Sequence, residues 1–253
     1  MLQINVRILK AYFIIKLWKY ILSRAIPIIV SSEEMKSYYT KLLSKKPKFR
    51  IIPYGIQIKE YNKLDTNIES ELRKLQEQYT VIGTVGLTIR RKGFEQLIEF
   101  LKNNKNYAVI VIGDGKETQK LLNYAKEEKM TNRFLITGFK SNSYNFFQFI
   151  DIYAHTSYSE GFGLSMLEAL SHGIPLICSK LHIYKEYISD EDVCYFEPGN
   201  IESLTYAIKK ISKSLKIYRE KSLNLYREKF TLEKMGDSHL AFYEEIISIS
   251  KSS

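Results

Sequence analysis

The 253-residue chain has only two cysteines, Cys178 and Cys194. They stand in strand-like surroundings without CxxC spacing, which argues against a disulfide scaffold or a metal site and suits buried thiols in a reducing compartment. Five prolines and twelve glycines are too few for a collagen-like or low-complexity chain, and no internal repeat is visible. Long apolar runs are absent too. The longest unbroken one between residues 4 and 24 is Ala11 to Ile15, far below the ~18 to 20 residues that span a bilayer. This segment is expected neither to span nor to export. No acid occurs in it either, while Arg7, Lys10, Lys16, Lys19 and Arg24 interrupt it.

What is present is globular: 45% hydrophobic residues, 13% aromatics and 26% charged residues can bury a sizeable core. The net charge of +10 favours anionic partners such as nucleotide phosphates, an acidic membrane surface or nucleic acid. Nucleic acid is disfavoured, because the lysines are spread along the chain and no binding motif appears. Residues 4 to 24 form an apolar helix with Ile4, Ile8, Ala11, Ile15, Trp18 and Leu22 on one stripe. Such a helix either lies on anionic lipid or is buried against protein.

From Thr80 onward short apolar strands alternate with helices. The strands are Thr80 to Val85, Ala108 to Ile112, Phe134 to Thr137, Ile152 to His155, Leu176 to Cys178 and Val193 to Phe196. Helices are expected over Gly93 to Leu101, Lys116 to Lys129, about Asn142 to Phe149 and Leu164 to His172, then over Ile201 to Lys213, Leu215 to Lys229 and Thr231 to Ile249. This alternation predicts an α/β fold with a Rossmann-like, doubly wound parallel sheet that binds ligands at the carboxyl ends of its strands. Before it, a strand from Ile26 to Ser31, a helix from about Glu33 to Leu43 behind a Ser31/Ser32 cap, and Phe49 to Gly55 lead into a Pro-Gly turn.

Two loops carry the candidate chemistry. Ser157 to Pro175 reads SYSEGFGLSMLEALSHGIP, a glycine-flanked loop opening into a helix, whose free amides and dipole suit a phosphate. Glu160 stands beside that anion position, and Glu168 lies in the second turn of the helix, where a carboxylate can accept from paired sugar hydroxyls. The loop after Val85 reads Gly86-Leu87-Thr88-Ile89-Arg90-Arg91-Lys92-Gly93, and its Arg90, Arg91 and Lys92 could clamp a diphosphate from the other side. Gly113-Asp114-Gly115 and Gly138-Phe139-Lys140 end the next two strands. His155 and His172 lack a ligand set for a metal and read as packing or surface residues.

Glu160-Gly161-Phe162-Gly163, Leu167-Glu168-Ala169-Leu170 and Gly173-Ile174-Pro175 resemble the donor-site signature of family 4 glycosyltransferases, retaining enzymes of the GT-B fold. The resemblance implies a nucleotide-sugar donor, with Glu160 orienting the transferred sugar and Glu168 on the ribose. It implies that Lys92 and one of Arg90 or Arg91 hold the diphosphate, while Gly113, Gly138, Phe139 and the backbone of Gly161, Phe162, Gly163 and Leu164 line the nucleotide. No cofactor and no metal are implied. The family's arginine after the first glycine is Leu87 here, and Tyr54 and Gln57 replace the usual asparagine and aspartate of the interdomain segment.

Such enzymes have two Rossmann-like halves, and only the end of the first is recognisable. Residues 1–55 are therefore read as a remnant of the N-terminal acceptor domain and 56–253 as the donor-binding domain with its C-terminal helices. The implied partners are a nucleotide-sugar, a glycan or lipid-linked acceptor, a separate N-terminal-half polypeptide and an anionic membrane surface. The implied location is cytoplasmic, at the inner face of the cell membrane. The alternatives are a nucleotide-sugar-binding remnant without turnover and a basic membrane-surface or nucleic-acid module.

Overall fold

The computed structural model describes residues 2–24, 27–43 and 47–251, and side chains within 10–248 of these. Ile26 and the side chains of Ile4, Arg7 and Ile8 lie outside the described residues. The chain divides into two compact units, Met1–Tyr54 with Glu233–Ser253, and Gly55–Leu232.

In the first unit, helix α1 (Leu2–Leu22) is followed by strand β1 (Ile28–Val30), helix α2 (Glu33–Leu42) and strand β2 (Phe49–Ile51), and β1 and β2 pair in parallel. Ser32 caps α2 by accepting from the Met35 amide, as its position before two glutamates leads one to expect. Helix α10 (Leu232–Lys251) falls in the same unit from Glu233 on. Its Phe242 ring lies under the Arg50 guanidinium at 5.5 Å, one reason why this helix groups with the N-terminal segment. Among the described residues no helix is long and apolar enough to cross a membrane.

The second unit is a six-stranded parallel sheet. Its strands are β3 (Thr80–Val85), β4 (Tyr107–Ile112), β5 (Phe134–Ile136), β6 (Ile152–His155), β7 (Leu176–Ser179) and β8 (Cys194–Phe196), in the order β5-β4-β3-β6-β7-β8. The order reverses direction between β3 and β6, the crevice where doubly wound sheets hold ligands. Strands buried on both faces need apolar residues throughout, and Val81, Ile82 and all of Ala108 to Ile112 are at most 1% exposed. One face is covered by helices α3 (Thr66–Gln78), α6 (Leu164–Ser171) and α9 (Leu215–Lys229), which supply Leu72, Met166, Leu167 and Leu225 to its core. The other is covered by α4 (Glu95–Lys102), α5 (Thr118–Glu127) and α8 (Ile201–Ser212), with Leu97, Leu121 and Leu204 among its core residues. Each such side chain, fully buried, contributes ~1.5 to 3 kcal/mol.

Three local features differ from the sequence reading. The stretch Ser143–Phe149 is a 3-10 helix, in which residues three apart eclipse, so Phe146 and Phe149 enter the core together. Helix α3 is absent from the sequence reading because its composition is polar and Leu72 is its one fully buried residue. Helix α7 (His182–Lys185) is a single turn.

Candidate functional site

Strands β3 and β6 are neighbours, with Ile82 opposite Ile152 and Gly83 opposite Tyr153. The loops leaving their carboxyl ends are therefore neighbours too, and the chain fastens them together. The Thr156 hydroxyl donates to Lys92 O (2.9 Å), the Tyr158 amide donates to Arg91 O (2.8 Å), and the buried Gln96 amide donates to both Thr156 O (2.9 Å) and Gly93 O (3.0 Å). Arg90–Lys92 forms one turn of 3-10 helix, which points successive side chains in different directions.

Lys92 and Arg91 turn toward Glu160. Lys92 Nζ donates to Glu160 Oε1 at 2.5 Å and Arg91 Nη1 to Oε2 at 3.2 Å, with Arg91 also reaching Ser159 O at 2.6 Å. The Ser157 hydroxyl donates to the same Oε1 at 2.6 Å, and His155 Nε2 lies 3.5 Å from it. The Glu160 and Lys92 side chains are only 7% and 13% exposed. Burial opposes charge on this carboxyl, yet the contacts from His155, Lys92 and Ser157 outweigh it and hold Glu160 well below the ordinary carboxylate range. His155 is fully buried, and burial pushes its imidazole down, toward the neutral form. Arg90 points elsewhere, into a cavity shared with Glu117 and Lys120.

Gly163 begins α6 with φ +90°, a conformation that only glycine adopts without strain. A Cβ on it would also lie 3.1 Å from Tyr184 Oη and 3.2 Å from His155 Nε2. Gly161 is different: a Cβ there would meet nothing within 4 Å, so its small size leaves open space beside the amides of the helix start. Leu164, the first helical residue, is 50% exposed. One turn along, Glu168 lines a cavity of about 220 Å³ with Lys59, Tyr144, Ser171 and His172. Burial raises its carboxyl above the ordinary value, partly offset by Lys59 and His172. His172 itself is structural in character, stacked on Tyr61 and bridging Glu168 O and Lys59 O at 2.9 Å each.

The remaining strand ends converge on the same edge of the sheet. Gly113 and Gly138 form a bridge between the ends of β4 and β5. Gly113 has to be glycine, because a Cβ would sit 1.9 Å from Gly86 O. Asp114 is turned back on its own loop, accepting from the Gly115 amide and the Thr118 hydroxyl, and these bonds lower its carboxyl pKa. Phe139 is 76% exposed and Leu87 60%. The sequence reading passes over His155 as a packing residue; a histidine ending an otherwise apolar strand at the ligand edge of a parallel sheet is the signal that points to it.

Comparison with known proteins bears on the family and the fold. The family model of glycosyl transferases group 1 matches residues 65–226. The O-antigen biosynthesis glycosyltransferase WclY of Escherichia coli is 28% identical over 222 residues, 87% of this chain and 61% of the relative. An Escherichia coli UDP-Gal:alpha-D-GlcNAc-diphosphoundecaprenol alpha-1,3-galactosyltransferase is 23% identical over 234 residues, 87% of this chain and 60% of the relative. This chain thus spans about three fifths of the length of these curated relatives. The fold matches the crystal structure of Anabaena Alr3699/HepE in complex with UDP and glucose, with a TM-score of 0.78 at 19% identity over 92% of this chain and 66% of that one. It equally matches sucrose-phosphate synthase from Thermosynechococcus elongatus, with a TM-score of 0.78 at 21% identity over 93% of this chain and 62% of that one. Over the matched residues the fold is that of GT-B glycosyltransferases, and the chain belongs to the glycosyl transferases group 1 family.

Proposed function

We propose that this chain is the donor half of a retaining glycosyltransferase that moves a sugar from a nucleoside diphosphate to a glycan or lipid-linked acceptor. The observation that carries the reading is the joining of Lys92 and Arg91 to Glu160 beside the open start of α6, which gathers phosphate donors and a sugar-facing carboxylate in one crevice. Lys92 and Arg91 take the diphosphate, with the amides at Gly161 to Leu164 completing its cradle. Glu168 accepts from the ribose hydroxyls, while Gly113, Gly138 and Phe139 border the nucleotide, and Glu160 holds a hydroxyl of the transferred sugar. As the bond from the anomeric carbon to phosphate breaks, the electron pair leaves with the diphosphate, and the fixed cations stabilise it. This role falls to side chains and needs no metal in the reading.

The acceptor and the residues that bind it belong to an N-terminal half supplied outside these residues, and transfer requires both halves to close on one water-poor crevice. A second reading concerns α1, where Tyr12, Phe13, Ile15 and Trp18 are all more than half exposed between Lys10, Lys16 and Lys19. This composition favours an anionic membrane surface, at the cytoplasmic face in the present reading. The test of the main reading is calorimetric titration with UDP and UDP-glucose. Binding that Lys92→Ala weakens supports it, and unchanged affinity in that variant removes the basic loop from the site. With the acceptor half supplied, Glu160→Gln should slow transfer by about 100-fold and leave UDP affinity nearly intact.

A further inference from the structure

We propose that His155 is a positioning residue for Glu160, the donor that keeps its carboxylate in place once Lys92 turns to a phosphate; the inference rests on the reading of Lys92 and Glu160 given above. Glu160 sits in a loop, its Oε1 held by Lys92 and Ser157 and its Oε2 by Arg91, and the reading above gives Arg91 to the diphosphate along with Lys92. Lys92 cannot give its full charge to a diphosphate and remain as tightly bound to Glu160. Some other group must then hold a carboxylate that is almost wholly buried, or it is left short of donors in a poorly solvated place.

His155 is built for that task. It ends β6, within the sheet, and its ring is wedged between Tyr153, stacked at 6.2 Å, and the edge of Tyr184 at 5.6 Å. Its Nε2 is buried without a hydrogen-bond partner and lies 3.5 Å from Glu160 Oε1, just outside a good hydrogen bond. A buried polar nitrogen is rarely left idle. A small shift of the Glu160 loop closes the gap, and the contact needs only a neutral imidazole with its proton on Nε2. Gly163 keeps the space clear, since a Cβ there would lie 3.2 Å from this nitrogen. Ser157 is the other donor that stays on Oε1, so two fixed groups retain the carboxylate while the flexible lysine leaves. Sugar contact and phosphate contact can then be made together instead of competing.

Nitrogen-15 labelling of the four histidines, with His155 assigned by its loss in His155→Phe, tests this directly. Lys92→Met imitates departure of the ammonium without any ligand. The ring should carry its proton on Nε2 in the parent chain, and that proton should move downfield and exchange more slowly in Lys92→Met. Addition of UDP to the parent chain should produce the same change. A proton on Nδ1 with a bare Nε2 in both proteins overturns the proposal. UDP that binds without moving the His155 signal also overturns it and leaves the donor reading standing. No UDP binding, with the Lys92→Met change still present, overturns the donor reading and upholds the His155 contact. In the Lys92→Met background the Glu160 carboxyl should titrate higher with His155→Phe than with His155→Gln, which keeps a donor; equal titration counts against a positioning role.

Discussion

Lys92 and Glu160 stand 68 residues apart in the chain and meet at 2.5 Å in a nearly closed space. Neither loop holds its partner's charge alone, because the meeting depends on β3 lying next to β6. The pair keeps two opposite charges compensated where solvent barely reaches them.

Removing one member of such a pair strands the other. Lys92→Ala should lower stability by about 3 kcal/mol, the lower end of the range for breaking a buried pair, given the partial exposure of Lys92. It should also cost about 1.5 to 3 kcal/mol of UDP binding. Urea unfolding and calorimetry read the two effects separately; loss of binding without loss of stability would mean the ion pair adds nothing to the fold.

Glu160 makes stability depend on acid in a set direction. Its folded carboxyl lies below the ordinary value of 4.5, so the unfolded chain takes up the proton first as the pH falls. The stability it contributes is fully present above that ordinary value and declines as the pH drops toward the folded one. The difference in urea midpoint between parent and Glu160→Gln should be flat from pH 7 to about 5 and shrink below about 4.5.

Gly161 and Gly163 should respond differently to alanine. At Gly163 the positive φ and the close approach of Tyr184 and His155 predict a loss of about 1 to 2 kcal/mol of stability. At Gly161 no atom of the described residues lies within 4 Å of an added methyl group, so thermal unfolding should stay put while UDP affinity drops. Equal melting losses would make Gly161 a structural glycine only.

Glu168 should discriminate by ribose. Glu168→Gln is expected to weaken UDP binding and to spare inorganic diphosphate. Because burial raises its carboxyl, the parent chain's preference for the ribonucleotide should fade in mild acid earlier than an ordinary glutamate would allow. Equal loss for both ligands in calorimetry would place the ribose elsewhere.

Leu87 leaves room for a gain. It stands where the sequence resemblance implies an arginine and is 60% exposed, so under the proposed function Leu87→Arg should add a charge-assisted phosphate contact, tightening UDP about tenfold. Unchanged affinity in a titration would show that this corner does not face the phosphates.

The α/β alternation, the doubly wound sheet and both loops were legible along the chain, because each depends on contiguous residues. Strands Thr80–Val85 and Ile152–His155 are runs of buried-type residues with clear ends, and Glu160 to Glu168 is a local signal of a loop entering a helix. Partnership was not legible. The sequence left Arg90 and Arg91 equivalent, and it took the order β3-β6 and a turn of 3-10 helix to aim Arg91 at Glu160 and Arg90 away. His155 looked like packing because its contact with Glu160 lies in the following loop, whose path is set by Gln96 and Thr156 across the crevice. The grouping of α10 with the first unit was equally hidden. Periodicity and propensity act over a few residues, whereas ion pairs and loop contacts are chosen by which strands lie side by side, a long-range choice made when the two faces of the sheet are buried together.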